Sequence, residues 1–154
     1  NMKKKEVNKT SQQIKNAIKW IDAMLVKSGY KKTVQMLGEK NDGCKEVKDP
    51  KKDMSYCCLG VGCRVMNYTN VEFSSEFHEG LDNDMGLFNV RGSFRDGQEL
   101  TIQSHKYINS LDTLNDDAYR HDPDFRNIRR FILSHLDLIF IPAVAKGLKK
   151  HYKK

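Results

Sequence analysis

The chain has 154 residues, a formal net charge of +7, 38% hydrophobic residues and 31% charged residues. Its length fits one domain of ordinary size, and leucine, isoleucine, valine and phenylalanine form about 24% of it, enough to build a core. The longest apolar stretch, 138–145, is eight residues long, whereas a membrane span needs roughly 20. The composition argues against a disordered or membrane-spanning chain and predicts a single domain over 2–154 with no membrane partner.

Charge is distributed unevenly along the chain. The net charge is +8 over residues 1–52, −7 over 53–122 and +6 over 123–154. Basic ends that meet in space would make a face that attracts phosphate. The simpler alternative is that they complement the acidic middle and keep the protein in solution, and the sequence leaves both readings open.

The N-terminus shows no targeting signal. Asn1 before Met2 is typical of a residue left by cloning, and the lysines at 3–5 are not followed by the apolar segment of a secretory signal. We therefore expect a cytoplasmic protein whose four cysteines stay reduced.

The first predicted element is an amphipathic helix over 11–28. Thr10 and Gln13 have the spacing of a capping box, and Gly29 can adopt the left-handed conformation that ends a helix. The apolar residues that recur at helical spacing are Ile14, Ala17, Ile18, Ile21 and Leu25.

Three segments of different character follow this helix. Residues 30–37 predict a short strand or extended arm, and 38–53, with five lysines, predict a flexible surface loop. Residues 55–66 carry one charge, Arg64, and are otherwise small and apolar, which is typical of a buried helix. Its two glycines cost roughly 1 kcal/mol each in a helix interior, so we expect a neighbouring element to approach it closely.

The second half of the chain predicts a hairpin and a long helix. Residues 71–81 predict a short helix or irregular segment, and Asp96-Gly97 predicts a turn between strands near 87–95 and 99–103. Asp122 is a suitable N-cap, with Pro123 at the first helical position.

The apolar face of that helix extends from Phe125 to Ile139. Pro142 is expected to end or kink the helix, and 142–154 to form a basic C-terminal tail or short helix. The predicted fold class is therefore α+β: helices packed on a small antiparallel sheet, with the buried Cys/Gly-rich helix at the centre.

The most distinctive motif is Tyr56-Cys57-Cys58-Leu59-Gly60-Val61-Gly62-Cys63. It resembles the Y-C-C-L-G-V-x-C core of small uncharacterised proteins of tailed phages and prophages. In that group the core follows a helix with a tryptophan, here Trp20, and precedes a Leu-x-x-Leu-Asn-Asp motif, here 111–116 within a run ending Leu114-Asn115-Asp116-Asp117.

The resemblance implies a phage or prophage origin, a compact α+β domain and a location in the host cytoplasm. It implies no activity, because the group has no assigned one. The chain departs from the pattern in its lysine-rich loop, in residues 117–122 and in its basic tail.

The motif residues allow several interpretations. A zinc site needs paired ligands at a suitable spacing, and adjacent cysteines on a helix point about 100° apart. A nucleophilic thiol needs a lowered pKa from a helix N-terminus or a base such as His78, His105 or His121. The favoured interpretation is that the motif is structural, with no metal and no cofactor: Tyr56, Cys57, Cys58, Leu59, Gly60, Cys63, Leu114, Asn115 and Asp116.

The polar members of the second motif have a specific expected role. We expect Asn115 and Asp116 to cap or turn the chain through bonds from side chain to backbone. Metal or ligand contact by the acidic residues remains the alternative.

Basic residues of the last helices are the candidate contact surface. Arg126, Arg129 and Arg130 have i, i+3, i+4 spacing and share a helix face. With Lys149 and Lys150 they could contact a nucleic-acid backbone or another partner. The alternative is a solvated face.

Two classes of function remain consistent with these residues and motifs. The first is a non-enzymatic phage or prophage accessory protein that binds a host macromolecule, with a protein as the favoured partner. The second is a basic nucleic-acid-binding protein that contacts the phosphate backbone. A cysteine- or metal-dependent enzyme is a distant third, and the sequence does not determine the oligomeric state.

Overall fold

The computed structural model describes residues 2–68 and 78–153. Its helices are α1 (Met2–Ala23), α2 (Cys58–Val65), α3 (Leu81–Met85), α4 (Leu111–Thr113), α5 (Arg126–Ser134), α6 (Leu136–Ile139) and α7 (Pro142–Tyr152). Its strands are β1 (Lys31–Lys32), β2 (Gly38–Lys40), β3 (Met54–Tyr56), β4 (Leu100–Ile102) and β5 (His105–Ile108). Short 3-10 turns span Val26–Ser28 and Arg95–Gly97, and a π-helical turn spans Leu114–Ala118.

The predicted α+β class and the buried central helix are confirmed. All residues of α2 except Arg64 are buried, and α1, α4 and β3 pack around the helix. In the three-stranded sheet, β3 lies between β1, which is parallel to it, and β2, which is antiparallel. The antiparallel pair β4–β5 forms a separate sheet. No helix in the described parts of the chain combines the length and apolarity needed to cross a bilayer.

The predicted bounds of the first helix are wrong at both ends. The helix begins at Met2, so Thr10 lies inside it and forms no capping box with Gln13. It ends at Ala23, and a 3-10 turn follows, in which the Ser28 hydroxyl donates to the carbonyl of Asp22 (2.9 Å). Gly29 then adopts the expected left-handed conformation, with φ +83°.

The predicted hairpin at Asp96-Gly97 is also wrong. Those two residues have positive φ, but they belong to a 3-10 turn. The segment before them pairs elsewhere, because the Phe94 N–H donates to the carbonyl of Asn109 (2.8 Å). The true hairpin joins β4 to β5 through Gln103 and Ser104, which both have positive φ, as two-residue hairpin turns require.

The late helix is shorter than predicted. It begins at Arg126, whose N–H is capped by the Asp124 carboxylate (2.9 Å), and Asp122 instead accepts a bond from the Asn127 side chain. The backbone leaves helical geometry at His135, which separates α5 from α6. Pro142 is the first residue of α7, a position where its missing N–H costs nothing. The segment 69–77, which contains most of the helix predicted over 71–81, lies outside the described residues.

The two glycines of α2 have different neighbours. A Cβ on Gly60 would overlap the backbone carbonyl of Leu37, just before β2, so this position admits no side chain. A Cβ on Gly62 would meet the end of the flexible Met85 side chain at 3.1 Å. The expected close approach is therefore confirmed, and it is strictest at Gly60, where the neighbour is rigid backbone.

This difference predicts the stability of two matched variants. Gly60→Ala should lower the free energy of unfolding by about 3 kcal/mol or more, because backbone must move to relieve the overlap. Gly62→Ala should change it by less than about 1 kcal/mol, because the helix propensity of alanine offsets a small shift of Met85. Urea denaturation measures both, and similar losses would contradict the assigned contact with Leu37.

Candidate functional site

The residues of the two resemblance motifs meet at the start of α2. Asn115 accepts a hydrogen bond from the Cys58 N–H at its Oδ1 (3.1 Å), and the indole N–H of Trp20 donates to the Cys58 carbonyl (2.8 Å). The Gly60 N–H donates to the Cys57 sulfur (3.3 Å). The first turn of this buried helix therefore has a fixed partner for each of these backbone groups.

Asn115 also ties the start of α2 to the segment after β1. Its amide donates to the carbonyl of Thr33 (3.0 Å) and to the carboxylate of Asp116 (2.9 Å). Asp116 in turn accepts from the backbone N–H of Gln35 (2.9 Å). Both side chains thus bond to backbone, as the sequence suggests for residues of these types.

Most other motif residues have packing roles. Leu59, Leu114 and Cys63 are buried in the core, and the buried Tyr56 donates its hydroxyl proton to the carbonyl of Pro50 (2.9 Å).

A second carboxyl group lies beside Asp116. Burial raises the pKa of Asp112, and the negative charge of Asp116 raises it further.

Among the described residues, no cluster of three or more acidic, histidine or cysteine side chains has a geometry that could hold a metal ion.

Three of the four cysteines lie in an environment that suppresses the thiolate. Burial raises the pKa of Cys57 and of Cys63 to about 12, and that of Cys58 well above its usual value. The bond from Gly60 to the sulfur of Cys57 acts in the opposite direction, but burial outweighs it. Cys44, in the lysine-rich loop, is only half-buried.

A concave surface with a volume of about 540 Å³ lies between the turn after α1 and helix α5. We call it the arginine cleft. Its apolar residues are Met24, Leu25, Val26 and Leu133, and its cationic residues are Lys27, Arg126, Arg129 and Arg130. Val26 is 52% exposed there, one of two exposed large hydrophobic side chains among the described residues. The cleft therefore combines an apolar floor with a positively charged rim.

The arginines of the cleft have different roles. Arg129 donates to the carbonyl of Ile21 (3.0 Å) and to the carboxylate of Asp22 (3.2 Å). Asp22 also accepts from the hydroxyl of Tyr152 (2.8 Å), so α1, α5 and α7 are joined beside the cleft. Arg126 and Arg130 are exposed. Arg126 is 4.0 Å from Asp124, and Arg130 forms no ion pair with any described residue.

The five predicted contact residues do not form one surface. All three arginines line the arginine cleft. Lys149, on α7, pairs with Asp137 of α6, and the exposed Lys150 lies on the same helix.

Sequence reasoning missed the apolar half of the cleft. The helix predicted over 11–28 places Leu25 on its core face and Val26 and Lys27 in its last turn. The early end of α1 at Ala23 is what turns these residues toward α5. No residue in this part of the sequence signals that early end, since β-branched Ile14, Ile18 and Ile21 lie inside the same helix.

Comparison with known proteins adds no further constraint: no protein-family model, curated sequence or solved structure matches this chain.

The burial of the thiols predicts their order of reaction. Iodoacetamide at neutral pH should label Cys44 in the folded protein and leave Cys57, Cys58 and Cys63 unlabelled, because it reacts with accessible thiolates. All four should react in denaturant, and Cys44→Ser should remove the native labelling. Peptide mass spectrometry reads each site, and rapid native labelling of Cys57 or Cys58 would refute the structural role of the motif.

The role of Asn115 predicts a large loss of stability. Asn115→Ala should lower the free energy of unfolding by about 2–3 kcal/mol, because it leaves the buried N–H of Cys58 without an acceptor. Asn83→Ala, at an exposed site, should stay within about 0.5 kcal/mol of the parent. Urea denaturation compares the two, and equal effects would show that Asn115 does not support α2.

Proposed function

We propose that this chain is a non-enzymatic accessory protein of a phage or prophage that binds a host protein in the host cytoplasm. The binding site in this proposal is the arginine cleft. The observation that carries it is the combination, in one concave surface of about 540 Å³, of apolar residues that include the exposed Val26 with a cationic rim.

The chemistry of the cleft favours a polypeptide partner. A segment with aliphatic side chains would cover Val26 and Leu133, and its carboxylates would pair with Arg126, Arg130 and Lys27. Arg129 contributes by holding α5 against the end of α1, since its own hydrogen bonds are made within the protein. A phosphate backbone would satisfy the rim but would leave the apolar floor uncovered.

The state of the motif residues supports a non-enzymatic role. The thiols of Cys57, Cys58 and Cys63 are buried with raised pKa values, opposite to what a nucleophile requires. The phage origin rests on the resemblance. The hydrogen bonds of Trp20 and of Asn115 to the backbone of Cys58 support it, because they explain why these motifs would occur together.

Binding of short labelled peptides tests the cleft directly. A peptide of alternating leucine and glutamate should bind, measured by fluorescence anisotropy. Matched peptides with glutamine for glutamate, or serine for leucine, should bind at least about tenfold more weakly, because each satisfies only half of the site. Arg126→Glu with Arg130→Glu should also weaken binding of the first peptide by at least about tenfold.

The control is a variant with the same change in charge elsewhere. Lys45→Glu with Lys48→Glu alters two exposed residues of the loop and should leave peptide binding unchanged. Equal losses in the two double variants would mean that net charge, not the cleft, attracts the peptide. Equal binding of all three peptides would refute the proposed site, and a photo-crosslinker at Ser134 in host lysate would identify the partner.

A further inference from the structure

Helix α1 carries a row of exposed lysines that the arginine cleft does not use. We call Lys4, Lys5, Lys9, Lys15 and Lys19 the lysine stripe; all five are exposed. At about 100° per residue they fall within an arc of about 140°, and the buried residues Gln13, Ala17 and Trp20 lie outside that arc. At 1.5 Å per residue the stripe is about 22 Å long.

The chemistry of this face is uniform. Within that arc the other exposed side chains are Asn8 and Gln12, and the exposed Ser11 and Glu6 lie outside it. The face therefore offers no apolar group to enter a lipid interface. It also offers no aromatic ring on which single-stranded bases could stack. What it presents is positive charge and amide groups, which suit contacts with phosphate oxygens.

The stripe has no internal counter-charge. None of its five lysines forms an ion pair with a described residue. Lys5 and Lys9, and likewise Lys15 and Lys19, are four residues apart, a spacing at which like charges destabilise a helix. A bound polyanion would remove this repulsion.

The two basic ends of the chain pack side by side, which extends the positive surface. Gly147 of α7 packs against Ile14, and Tyr152 bonds to Asp22 further along α1, so the two helices run in the same direction. The exposed Lys146 and Lys150 therefore lie on the helix that borders the stripe.

We infer that the lysine stripe is a docking surface for the phosphate backbone of double-stranded nucleic acid, bound without selection of base sequence. This activity is separate from peptide binding in the arginine cleft. Duplex DNA carries one charge per about 1.7 Å of its axis, so a straight row of cations about 22 Å long can face several phosphates at once. Lysine, a point charge on a flexible stem, contacts phosphate without reading bases.

The salt dependence of binding to a duplex measures the number of phosphates contacted. Five contacts predict a slope of log K against log salt of about −4.5, which is about a 500-fold loss of affinity between 50 and 200 mM salt. Random-sequence duplexes of equal length should bind equally. Fluorescence anisotropy with a labelled duplex supplies these values.

A matched pair of triple variants locates the contacts. Lys4→Gln, Lys9→Gln and Lys15→Gln together should reduce the slope to about −1.8, because two stripe lysines remain. Lys45→Gln, Lys48→Gln and Lys52→Gln remove the same charge from the loop and should leave the slope near −4.5. Circular dichroism checks that α1 stays helical, since glutamine and lysine have similar helix propensities.

Three results would overturn this inference: no binding to the duplex at 50 mM salt, equal slopes in the two triple variants, or binding to vesicles of phosphatidylcholine and phosphatidylserine or to polyglutamate that is tighter than binding to the duplex and is weakened by the stripe variant but not by the loop variant. The last would assign the stripe to a membrane or an acidic protein. None of these results bears on peptide binding in the arginine cleft, so the two proposals fail separately.

Discussion

The start of α2 lies inside the core, and its backbone groups must find partners that water cannot supply. Each buried N–H left without an acceptor would cost about 1–3 kcal/mol. Asn115 and Cys57 provide acceptors, and Trp20 provides a donor to the Cys58 carbonyl. Trp20 and Asn115 come from distant parts of the chain, so α1, the turn after α4 and the segment before β2 must assemble together around α2. The rest of the fold is arranged around this requirement.

Strong local patterns were sufficient to predict the elements they occupy. The run from Ser55 to Met66 is apolar on nearly every side, and a helix of that kind has to be buried wherever it packs. The hairpin predicted at Asp96-Gly97 is wrong for a different reason. These two residues do form a turn, as their types indicate, but the turn does not connect two paired strands. Its flanking segment bonds instead to Asn109, a partner that only the three-dimensional structure supplies. Local propensity specified a turn at Asp96-Gly97, and tertiary pairing determined that the hairpin forms between β4 and β5 instead.

The candidate site was predictable in part. The spacing of Arg126, Arg129 and Arg130 correctly places them on one helix, but their roles depend on what lies opposite. Asp22 is 107 residues away from Arg129 in the sequence, and the bond between their side chains joins α5 to α1. The apolar floor around Val26 exists because α1 ends five residues before the predicted end. Neither the pairing of Arg129 with Asp22 nor the early end of α1 can be predicted from a short stretch of the sequence.

The pairing of α1 with α7 has a consequence for how the chain is made. α1 is synthesised more than 100 residues before α7, the helix that covers its Ile14 side. During that interval the apolar side of α1 has no native neighbour along that edge, although chains generally begin to fold from their N-terminal parts during synthesis. Productive folding of the nascent chain therefore depends on keeping α1 from aggregating until α7 has been synthesised, and like charge on the outer face of α1 opposes association between such chains.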